Sequence, residues 1–403
     1  MDRVIAWEKE KVEGVAVLPA SKSISNRALV LSVLSGSPIP ENLSDSDDTR
    51  VLQEALSGTS DLVHVGHAGT AMRFLTAYFA LKGGVRELTG SERMKQRPLH
   101  VLVDALRKLG AKIAYLGEEG FPPLWISPSS LQGGKELTLD ASVSSQYVSA
   151  LMMIAPLLPG GLTISLRGKI VSGSYIRMTA AMMRQFGAVV DLESERITIP
   201  EGEYKPTGSR IEADWTAASY FYEMLVLVGQ GRIFIPDLKS DSLQGDARQY
   251  ILWERLGIQT EWCDNGVYLH ASGQVVDFFE ADFTEMPDLA LTFIVACCLK
   301  NISFHIRGLE TLHIKECDRV SASVCELRKL GYELNVPEHG ELCWNGERNT
   351  FVSLEIDTYQ DHRMAMAFAP AGLKLSGLVI RNAGVVSKSF PTFWEQFNNL
   401  VIE

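Results

Sequence analysis

The stretch ALRKLGAKIAYL (105–116) shows the pattern on which the fold of this chain is built. It reads as an amphipathic helix that closes on an apolar residue, followed by a glycine and a strand-like apolar alternation. Glycine suits that position because the residue after a helix often adopts a left-handed conformation, which a Cβ atom would penalise. The same design returns in MMRQFGAVVDL (182–192), LWERLGIQTEW (252–262) and ELRKLGYELNV (326–336). The glycine spacings of 77, 70 and 74 residues predict a duplicated supersecondary unit.

Two weaker copies, LQEALSG (52–58) and DHRMAMAFAPAG (361–372), would extend the series to six units of about 67 residues. Strands are predicted at 162–166, 232–235, 302–306 and 377–381, where β-branched or alternating apolar residues occur. The predicted fold class is therefore α/β in repeated units. No glycine-rich dinucleotide or P-loop motif follows any of these strands.

Composition predicts a globular protein of two domains. The chain has 403 residues, of which 46% are hydrophobic and 22% charged. A net charge of −11 disfavours a nucleic-acid partner. The longest apolar runs, 151–158 and 289–299, reach about half the length of a membrane span, which disfavours a membrane partner.

The cysteine pattern is typical of a reduced, cytoplasmic protein. None of the six cysteines forms a CxxC pair, and Cys297 and Cys298 lie in an apolar run that predicts core packing. The first residues, MDRVIAWEKEKVEG, are too charged for a signal peptide. The sequence thus predicts a cytoplasmic location.

Several predicted helices begin with hydroxyl, glycine and basic residues. In LPASKSISNRALVLSVL (18–34), Ser21 and Ser23 flank Lys22, and Arg27 follows about one turn into the helix. The first N–H groups of a helix are unpaired and carry partial positive charge, so an anion binds well there. Capping would explain one serine but not the added lysine and arginine. This start therefore predicts an anion site.

Comparable starts recur in the first half at GHAGTAMRFLTAYFA (66–80), SERMKQRP (91–98), SVSSQYVSALMMIAPLL (142–158) and SGSYIRM (172–178). His64 and His67 form an HxxH pair, but no other ligand set accompanies them, so no metal site is predicted. In the second half, carboxylates join the cations in MPDLALTF (286–293), HIKECDRV (313–320), QDHRMAMAF (360–368) and SKSFP (387–391). This division predicts a ligand cleft between two domains.

Ten motifs in this order resemble those of the 5-enolpyruvylshikimate-3-phosphate synthases. They are LPASKSISNRAL, DSDDTR, HAGTAMR, RMKQRP, SVSSQ, QGD, PDLALT, KECDR, TYQDHRMAMAF and KSFP, and they extend from residue 18 to residue 396. The resemblance implies transfer of the enolpyruvyl (carboxyvinyl) group of phosphoenolpyruvate to the 5-hydroxyl of shikimate 3-phosphate. Phosphate would leave through a tetrahedral intermediate, in the shikimate pathway to aromatic amino acids. A monomer without metal or cofactor is expected.

The resemblance also implies a two-domain enolpyruvyl transferase fold, an inside-out α/β barrel of repeated βαβαββ units with an interdomain cleft. Domain I would comprise residues 1–20 plus 213–403, and domain II residues 21–212, each with three units. Only 18 residues separate Asp48 from His67, fewer than in familiar members. One unit of domain II is therefore expected to be shortened near residues 48–67.

The resemblance assigns residues to both substrates. Phosphoenolpyruvate would contact Lys22, Gly69, Arg97, Gln146, Arg319, Arg363 and Lys388. Shikimate 3-phosphate would contact Lys22, Ser23, Arg27, Ser144, Ser145, Gln146, Ser172, Tyr175, Asp288 and Lys315. Arginine binds carboxylate or phosphate with two parallel hydrogen bonds, and lysine acts as a point charge.

The expected catalytic residues are Lys22, Asp288 and Glu316. By resemblance, Glu316 donates a proton to the methylene carbon, and either Asp288 or Lys22 takes the hydroxyl proton. The cations would stabilise the tetrahedral intermediate and the departing phosphate. Five of them around the substrate charges remove the need for a metal.

The chain departs from the family pattern at Ala20, His67, Phe74 and Thr311. The closest alternative is a UDP-N-acetylglucosamine enolpyruvyl transferase, a family that uses a mobile-loop cysteine near the active site of its first domain. This chain has no cysteine before residue 263, which disfavours that function. A non-catalytic relative that binds phosphorylated metabolites is the other alternative, and the presence of both carboxylates, Asp288 and Glu316, disfavours it.

Overall fold

The structure, a computed structural model, describes residues 1–6, 11–140, 142 and 144–401. The chain divides into two compact units. The terminal unit comprises Met1–Ala20 with Glu212–Glu403, and the central unit comprises Ser21–Ile211. None of the helices in the described part of the chain is long and apolar enough to cross a membrane.

The first two strands, β1 (Arg3–Ile5) and β2 (Val12–Val15), belong to the terminal unit. The helices of the central unit are α1 (Lys22–Ser35), α2 (Asp47–Ser57), α3 (Gly69–Lys82), α4 (Glu92–Lys95), α5 (His100–Lys108), α6 (Ser145–Ile154) and α7 (Gly173–Gln185). Its strands are β3 (Leu62–His64), β4 (Arg86–Thr89), β5 (Lys112–Tyr115), β6 (Leu124–Ser127), β7 (Lys135–Asp140), β8 (Leu162–Arg167), β9 (Asp191–Leu192) and β10 (Arg196–Ile199).

The terminal unit contains the remaining elements. Its helices are α8 (Trp215–Val228), α9 (Gln249–Arg255), α10 (Ala290–Lys300), α11 (Arg319–Lys329), α12 (His362–Phe368) and α13 (Phe393–Val401). Its further strands are β11 (Gly231–Pro236), β12 (Ile258–Cys263), β13 (Gly266–Ala271), β14 (Phe278–Asp282), β15 (Ser303–Arg307), β16 (Leu342–Trp344), β17 (Glu355–Ile356) and β18 (Leu378–Ile380). Short 3₁₀ turns include Pro287–Leu289, Glu310–Ile314 and Ala383–Lys388.

Three four-stranded sheets share one topology. Their strand orders are β3-β4-β6-β5, β7-β8-β10-β9 and β2-β11-β13-β12. In each sheet the first pair is parallel and the other two pairs are antiparallel. In the two sheets of the central unit the order along the chain is βαβαββ, with a helix between the parallel strands and no helix between the last two strands. In the third sheet the central unit and α8 both lie between β2 and β11. The predicted repeated α/β fold is therefore confirmed.

Two sheets of the terminal unit, β14-β15-β16 and β17-β18-β1, keep the parallel pair and one antiparallel strand. The N-terminal strand β1 thus completes the last repeat of the chain. In the central unit, α1 and α2 belong to a repeat that forms only a parallel bridge between Glu41 and Arg210. Within the described residues, α2 ends at Ser57 and β3 begins at Leu62, with no strand pair between them.

The four glycines that define the repeat, at positions 110, 187, 257 and 331, have φ of +105°, +85°, +85° and +86°. This confirms the left-handed conformation predicted after each helix. The glycines of the two weaker copies do not share this conformation. Gly58 is extended, with φ −81°. Gly372 lies in a 3₁₀ turn, where a Cβ would come within 2.4 Å of Ile5, so close packing against β1 requires this glycine.

The first helix of each repeat is buried on nearly every side. These helices are α1, α3 and α6 in the central unit and α8, α10 and α12 in the terminal unit. Most of their residues are buried, including several polar ones, which is typical of a helix surrounded by protein. Cys297 and Cys298 are fully buried in α10, as predicted. The second helices, α5 and α7 for example, are amphipathic and pack one face inward.

Glu223 is an exception in the core of the terminal unit. It lies on α8 with no solvent exposure, and neither carboxyl oxygen has a hydrogen-bond partner among the described residues. Burial raises the pKa of Glu223 well above its ordinary value, so the side chain is held in its neutral form. An unpartnered buried polar group costs free energy that an apolar side chain of similar size would not.

We expect Glu223→Met to raise the free energy of unfolding by about 1–3 kcal/mol. When folding raises the pKa of a carboxyl, its contribution to the stability of the folded state is fully present below the pKa of the unfolded chain. This contribution is lost as pH rises towards the pKa of the folded state. The gain should therefore be larger at pH 8 than at pH 5, as measured by urea unfolding. Glu254→Met, on the exposed face of α9, is the matched control. A lower urea midpoint for Glu223→Met at pH 8 would contradict the prediction.

Candidate active site

In the central unit, the predicted site residues lie at helix N-termini. Lys22 and Ser23 open α1, whose N-cap Ser21 accepts a hydrogen bond from the Ile24 N–H at 3.5 Å. The Lys22 ammonium is 3.4 Å from Asp48 Oδ2 on α2, and both side chains are nearly buried. Asp48 belongs to the motif DSDDTR, and the sequence predicted no role for it. The structure shows that Asp48 is the carboxylate partner of Lys22.

Arg27 connects three helices of the central unit. Its Nε donates to Thr179 Oγ1 on α7 at 2.7 Å, its Nη1 to the Ser23 carbonyl at 2.9 Å, and its Nη2 to Ser149 Oγ on α6 at 3.2 Å. Burial lowers the pKa of Arg27 to about 10, which still leaves the guanidinium charged at neutral pH. Three of its five N–H groups are thus used by the described residues, which leaves two for a ligand.

Gly69, Arg97 and Gln146 also come together. Gly69 is the first residue of α3, and a Cβ at this position would lie 2.6 Å from Arg97 Nη1. The missing side chain is therefore what allows the Arg97 guanidinium to reach the start of α3. Gln146 Nε2 donates to Thr70 Oγ1 at 3.1 Å, which links the N-termini of α6 and α3.

The remaining hydroxyl residues of the central unit open α6 and α7. Ser144 caps α6 by accepting from the Gln146 N–H at 3.3 Å, and Ser145 is its first residue. Ser172 precedes α7 with φ +57° and makes no capping hydrogen bond. A non-glycine residue in this region is strained, and such strain is often kept at binding sites. Tyr175, one turn further, lies with its ring 5.5 Å from the Arg27 guanidinium.

In the terminal unit, Arg319 is the centre of a charged network. The side chain is almost fully buried and donates to three carboxylates. Nε lies 2.8 Å from Asp361 Oδ2, Nη1 2.8 Å from Asp288 Oδ1, and Nη2 2.7 Å from Glu316 Oε2. Burial alone would lower the pKa of Arg319, but these carboxylates outweigh it and raise the pKa well above its ordinary value.

The other predicted residues join the same network. Arg363 Nη2 is 3.2 Å from Asp288 Oδ2, and the Lys315 ammonium is 3.4 Å from Asp288 Oδ1. Lys388, at the end of a 3₁₀ turn, donates to Glu316 Oε1. The four cations named here and the three carboxylates around Arg319 leave one net positive charge. An incoming anion therefore has to compete with internal carboxylates for these cations.

The charge state of Asp288 follows from this network. Burial would raise its pKa, but Arg363, Lys315 and Arg319 outweigh the burial and hold the pKa of Asp288 well below its ordinary value. Asp288 is thus ionised in the ligand-free protein and is a weak base there. An anion that draws these cations away would raise its basicity.

Two carboxylates near the site received no role from the sequence. Asp361 caps α12 by accepting from the Arg363 N–H at 2.9 Å, and it orients Arg319. Asp246, in the motif QGD, accepts from Thr216 Oγ1 at 2.5 Å. Burial, together with the neighbouring Asp288 charge, raises the pKa of Asp246 to about 7. The described residues contain no cluster of three or more His, Cys, Asp or Glu side chains that could hold a metal ion.

A family model described as EPSP synthase (3-phosphoshikimate 1-carboxyvinyltransferase) matches residues 48–397. The chain belongs to the EPSP synthase family. Members of this family are enzymes of the shikimate pathway. The resemblance to this family that the sequence predicted is therefore confirmed.

Curated relatives match this chain along almost its whole length. The 3-phosphoshikimate 1-carboxyvinyltransferase of Bacteroides fragilis is 46% identical over 396 residues, which cover 98% of this chain and 96% of the relative. Those of Vibrio cholerae and Shewanella sediminis are 37% and 36% identical, and each match covers at least 96% of both chains. A solved EPSP synthase from Acinetobacter baumannii superposes with a TM-score of 0.76 at 20% identity, covering 99% of this chain and 98% of that one. This likeness supports the fold assignment.

The cysteines of this chain all lie in its terminal unit. All six are free, and the first of them is residue 263. Cys317 lies beside the Arg319 network, 3.5 Å from Asp361 Oδ2. Burial and the Asp361 charge raise the pKa of Cys317, which favours the protonated thiol.

Proposed function

We propose that this chain transfers the enolpyruvyl group of phosphoenolpyruvate to the 5-hydroxyl of shikimate 3-phosphate and releases phosphate. The observation that supports this most strongly is the Arg319 network, in which one buried guanidinium holds both proposed catalytic carboxylates, Asp288 and Glu316. The reaction needs an acid and a base within reach of cations that bind anionic substrates.

The proposal assigns the predicted residues to the two substrates. Phosphoenolpyruvate contacts Lys22, Gly69, Arg97, Gln146, Arg319, Arg363 and Lys388. Shikimate 3-phosphate contacts Lys22, Ser23, Arg27, Ser144, Ser145, Gln146, Ser172, Tyr175, Asp288 and Lys315. The two N–H groups of Arg27 that no described residue uses are directed to an anion in this assignment.

The proposed chemistry has two steps. In the addition step, the 5-hydroxyl oxygen bonds to C2 of phosphoenolpyruvate, its proton passes to Asp288 or Lys22, and Glu316 protonates the methylene carbon. In the elimination step, a proton returns from the methyl group to Glu316 and the double bond re-forms as the C2–O bond to phosphate breaks. The leaving phosphate takes up the proton that Asp288 or Lys22 received in the addition step. Phosphoenolpyruvate would bind Arg319 and Arg363, which weakens their hold on Asp288 and raises its pKa towards a useful range.

A phosphate-release assay tests the function. We expect phosphate to be released from phosphoenolpyruvate only when shikimate 3-phosphate is present, with an enolpyruvyl ether as the second product. UDP-N-acetylglucosamine should not replace shikimate 3-phosphate as the acceptor. Binding of both substrates without phosphate release would identify a non-catalytic relative and overturn the proposal.

A second test concerns Lys22. We expect Lys22→Met to lower kcat by about 10²- to 10⁴-fold, because it removes a cation and a proton carrier. Shikimate 3-phosphate should still bind, since its other proposed contacts remain, and isothermal titration can measure this. Lys82→Met, at the exposed end of α3, is the control. Wild-type turnover in Lys22→Met would remove Lys22 from the mechanism.

We also propose that the protein acts as a monomer in the cytoplasm. The six free cysteines support a reducing compartment. Light scattering after size-exclusion chromatography would show a dimer if the monomer assignment is wrong. We further propose that each of the two domains comprises three repeat units.

A further inference from the structure

Lys315 and Glu316, to which the proposal above gives catalytic and binding roles, lie on a short loop between two ordered elements. The loop begins at His313, within the 3₁₀ turn Glu310–Ile314, and ends at Asp318, the N-cap of α11. We call residues 313–318 the clasp loop. Residues 315–317 lie outside any helix or strand, so their position depends on side-chain contacts and on the two ends of the loop.

The two ends of the clasp loop are joined by a side-chain hydrogen bond. His313 Nδ1 lies 3.0 Å from Asp318 Oδ2. Asp318 also accepts from the Ser321 N–H at 3.0 Å and from the Ser321 hydroxyl at 2.9 Å, which caps α11. The same carboxylate therefore closes the loop and fixes the helix whose first residue is Arg319.

The direction of this bond follows from the state of Asp318. Burial would raise the pKa of Asp318, but the hydrogen bonds from His313 and Ser321 outweigh it and lower the pKa, so the carboxylate is ionised. An ionised carboxylate only accepts, and Nδ1 of His313 therefore carries the proton. Nε2 of His313 is buried and has no hydrogen-bond partner among the described residues, so the ring is anchored through Nδ1 alone.

A second contact fixes the plane of the His313 ring. The ring stacks on His339, with centroids 4.6 Å apart and planes inclined by 25°. His339 belongs to the segment before β16, and the Leu309 N–H donates to the Gly340 carbonyl at 2.9 Å in the same region. The clasp loop is thus attached at its first residue to a neighbouring segment and at its last residue to α11.

We propose that His313 is a positioning residue, which holds Lys315 and Glu316 in place by clasping Asp318 through Nδ1. This inference rests on the proposed function of Glu316 as proton donor. A reacting group that is displaced by about 1 Å commonly costs 10- to 100-fold in rate, even when the substituted residue does not touch the substrate.

The test compares two amide substitutions of His313, asparagine and glutamine, whose side-chain nitrogens lie at different distances from the backbone. In His313→Asn the side-chain nitrogen occupies the place of Nδ1, whereas in His313→Gln it occupies the place of Nε2. We expect His313→Gln to lower kcat about 10- to 100-fold with the KM for phosphoenolpyruvate changed less than about threefold, and His313→Asn to stay within about threefold of wild type in both. Asp318→Ser keeps a capping hydroxyl but is too short to reach His313, and it should match His313→Gln.

A readout that does not depend on turnover accompanies the kinetics. Amide hydrogen exchange of residues 313–318, followed by mass spectrometry, should quicken in His313→Gln and Asp318→Ser but not in His313→Asn. Equal kcat in the Asn and Gln variants, or unchanged exchange in the Gln variant, would overturn the clasp. If wild-type protein releases no phosphate, the proposed function fails, while the exchange experiment still decides whether the clasp exists.

Discussion

Glu316→Gln is expected to lower kcat by about 10²- to 10⁴-fold, the contribution of a positioned acid or base. The amide keeps the shape of the side chain and can still accept from Arg319 Nη2, but it has no proton to transfer. Its NH₂ group would also face the Lys388 ammonium, and two hydrogen-bond donors cannot bond to each other. Binding of shikimate 3-phosphate should change little, because Glu316 is not among its proposed contacts.

Two measurements check this prediction. Turnover is measured as phosphate release, and uptake of deuterium from D₂O at the methylene carbon of phosphoenolpyruvate reports the proton transfer itself. Both should be lost together in Glu316→Gln. Glu355→Gln, an exposed carboxylate of the same unit that pairs with Arg381, should behave as wild type. Deuterium uptake at the wild-type rate in Glu316→Gln would show that another group donates the proton.

Arg319→Lys is expected to lower the free energy of unfolding by about 3–5 kcal/mol, the usual cost of breaking a buried charge network. The guanidinium directs three nitrogens at Asp361, Asp288 and Glu316 simultaneously. A lysine ammonium is a single point charge and cannot reach all three, so at least one of these buried carboxylates would lose its hydrogen bond to residue 319. Phosphoenolpyruvate binding should weaken as well.

Urea unfolding and titration with phosphoenolpyruvate measure the two effects of Arg319→Lys. Arg328→Lys is a matched control because Arg328 lies on the same helix but pairs with Glu333 at the surface, where ion pairs contribute little. It should change the free energy of unfolding by less than about 0.5 kcal/mol. A similar small change in Arg319→Lys would mean that the network rearranges without cost.

The residues that touch substrate in the proposed mechanism were accessible to sequence reasoning because each lies in a local motif. Lys22, Arg27 and Arg319 sit at or near helix starts, and a helix start with unusual charge is visible in a short window of sequence. Some of their partners were missed. Asp361 is 42 residues from Arg319, and Thr179 and Ser149 are 152 and 122 residues from Arg27. A short window of sequence cannot identify an acceptor that is distant along the chain and comes close only in the folded structure.

The helix–glycine–strand repeat and the apolar alternation in the sequence determined the α/β class, the four left-handed glycines and four of the strands. Those features depend on contacts within a few residues, through helix termination and apolar periodicity. Only the tertiary structure decided which distant segments of the chain pair and pack together. It showed that β1 completes the last repeat by pairing with β18, and that Gly372 is required by the close approach of Ile5. It also showed that His313 reaches Asp318. Such choices depend on which segments pack together, and packing is settled by the whole chain rather than by any window of it.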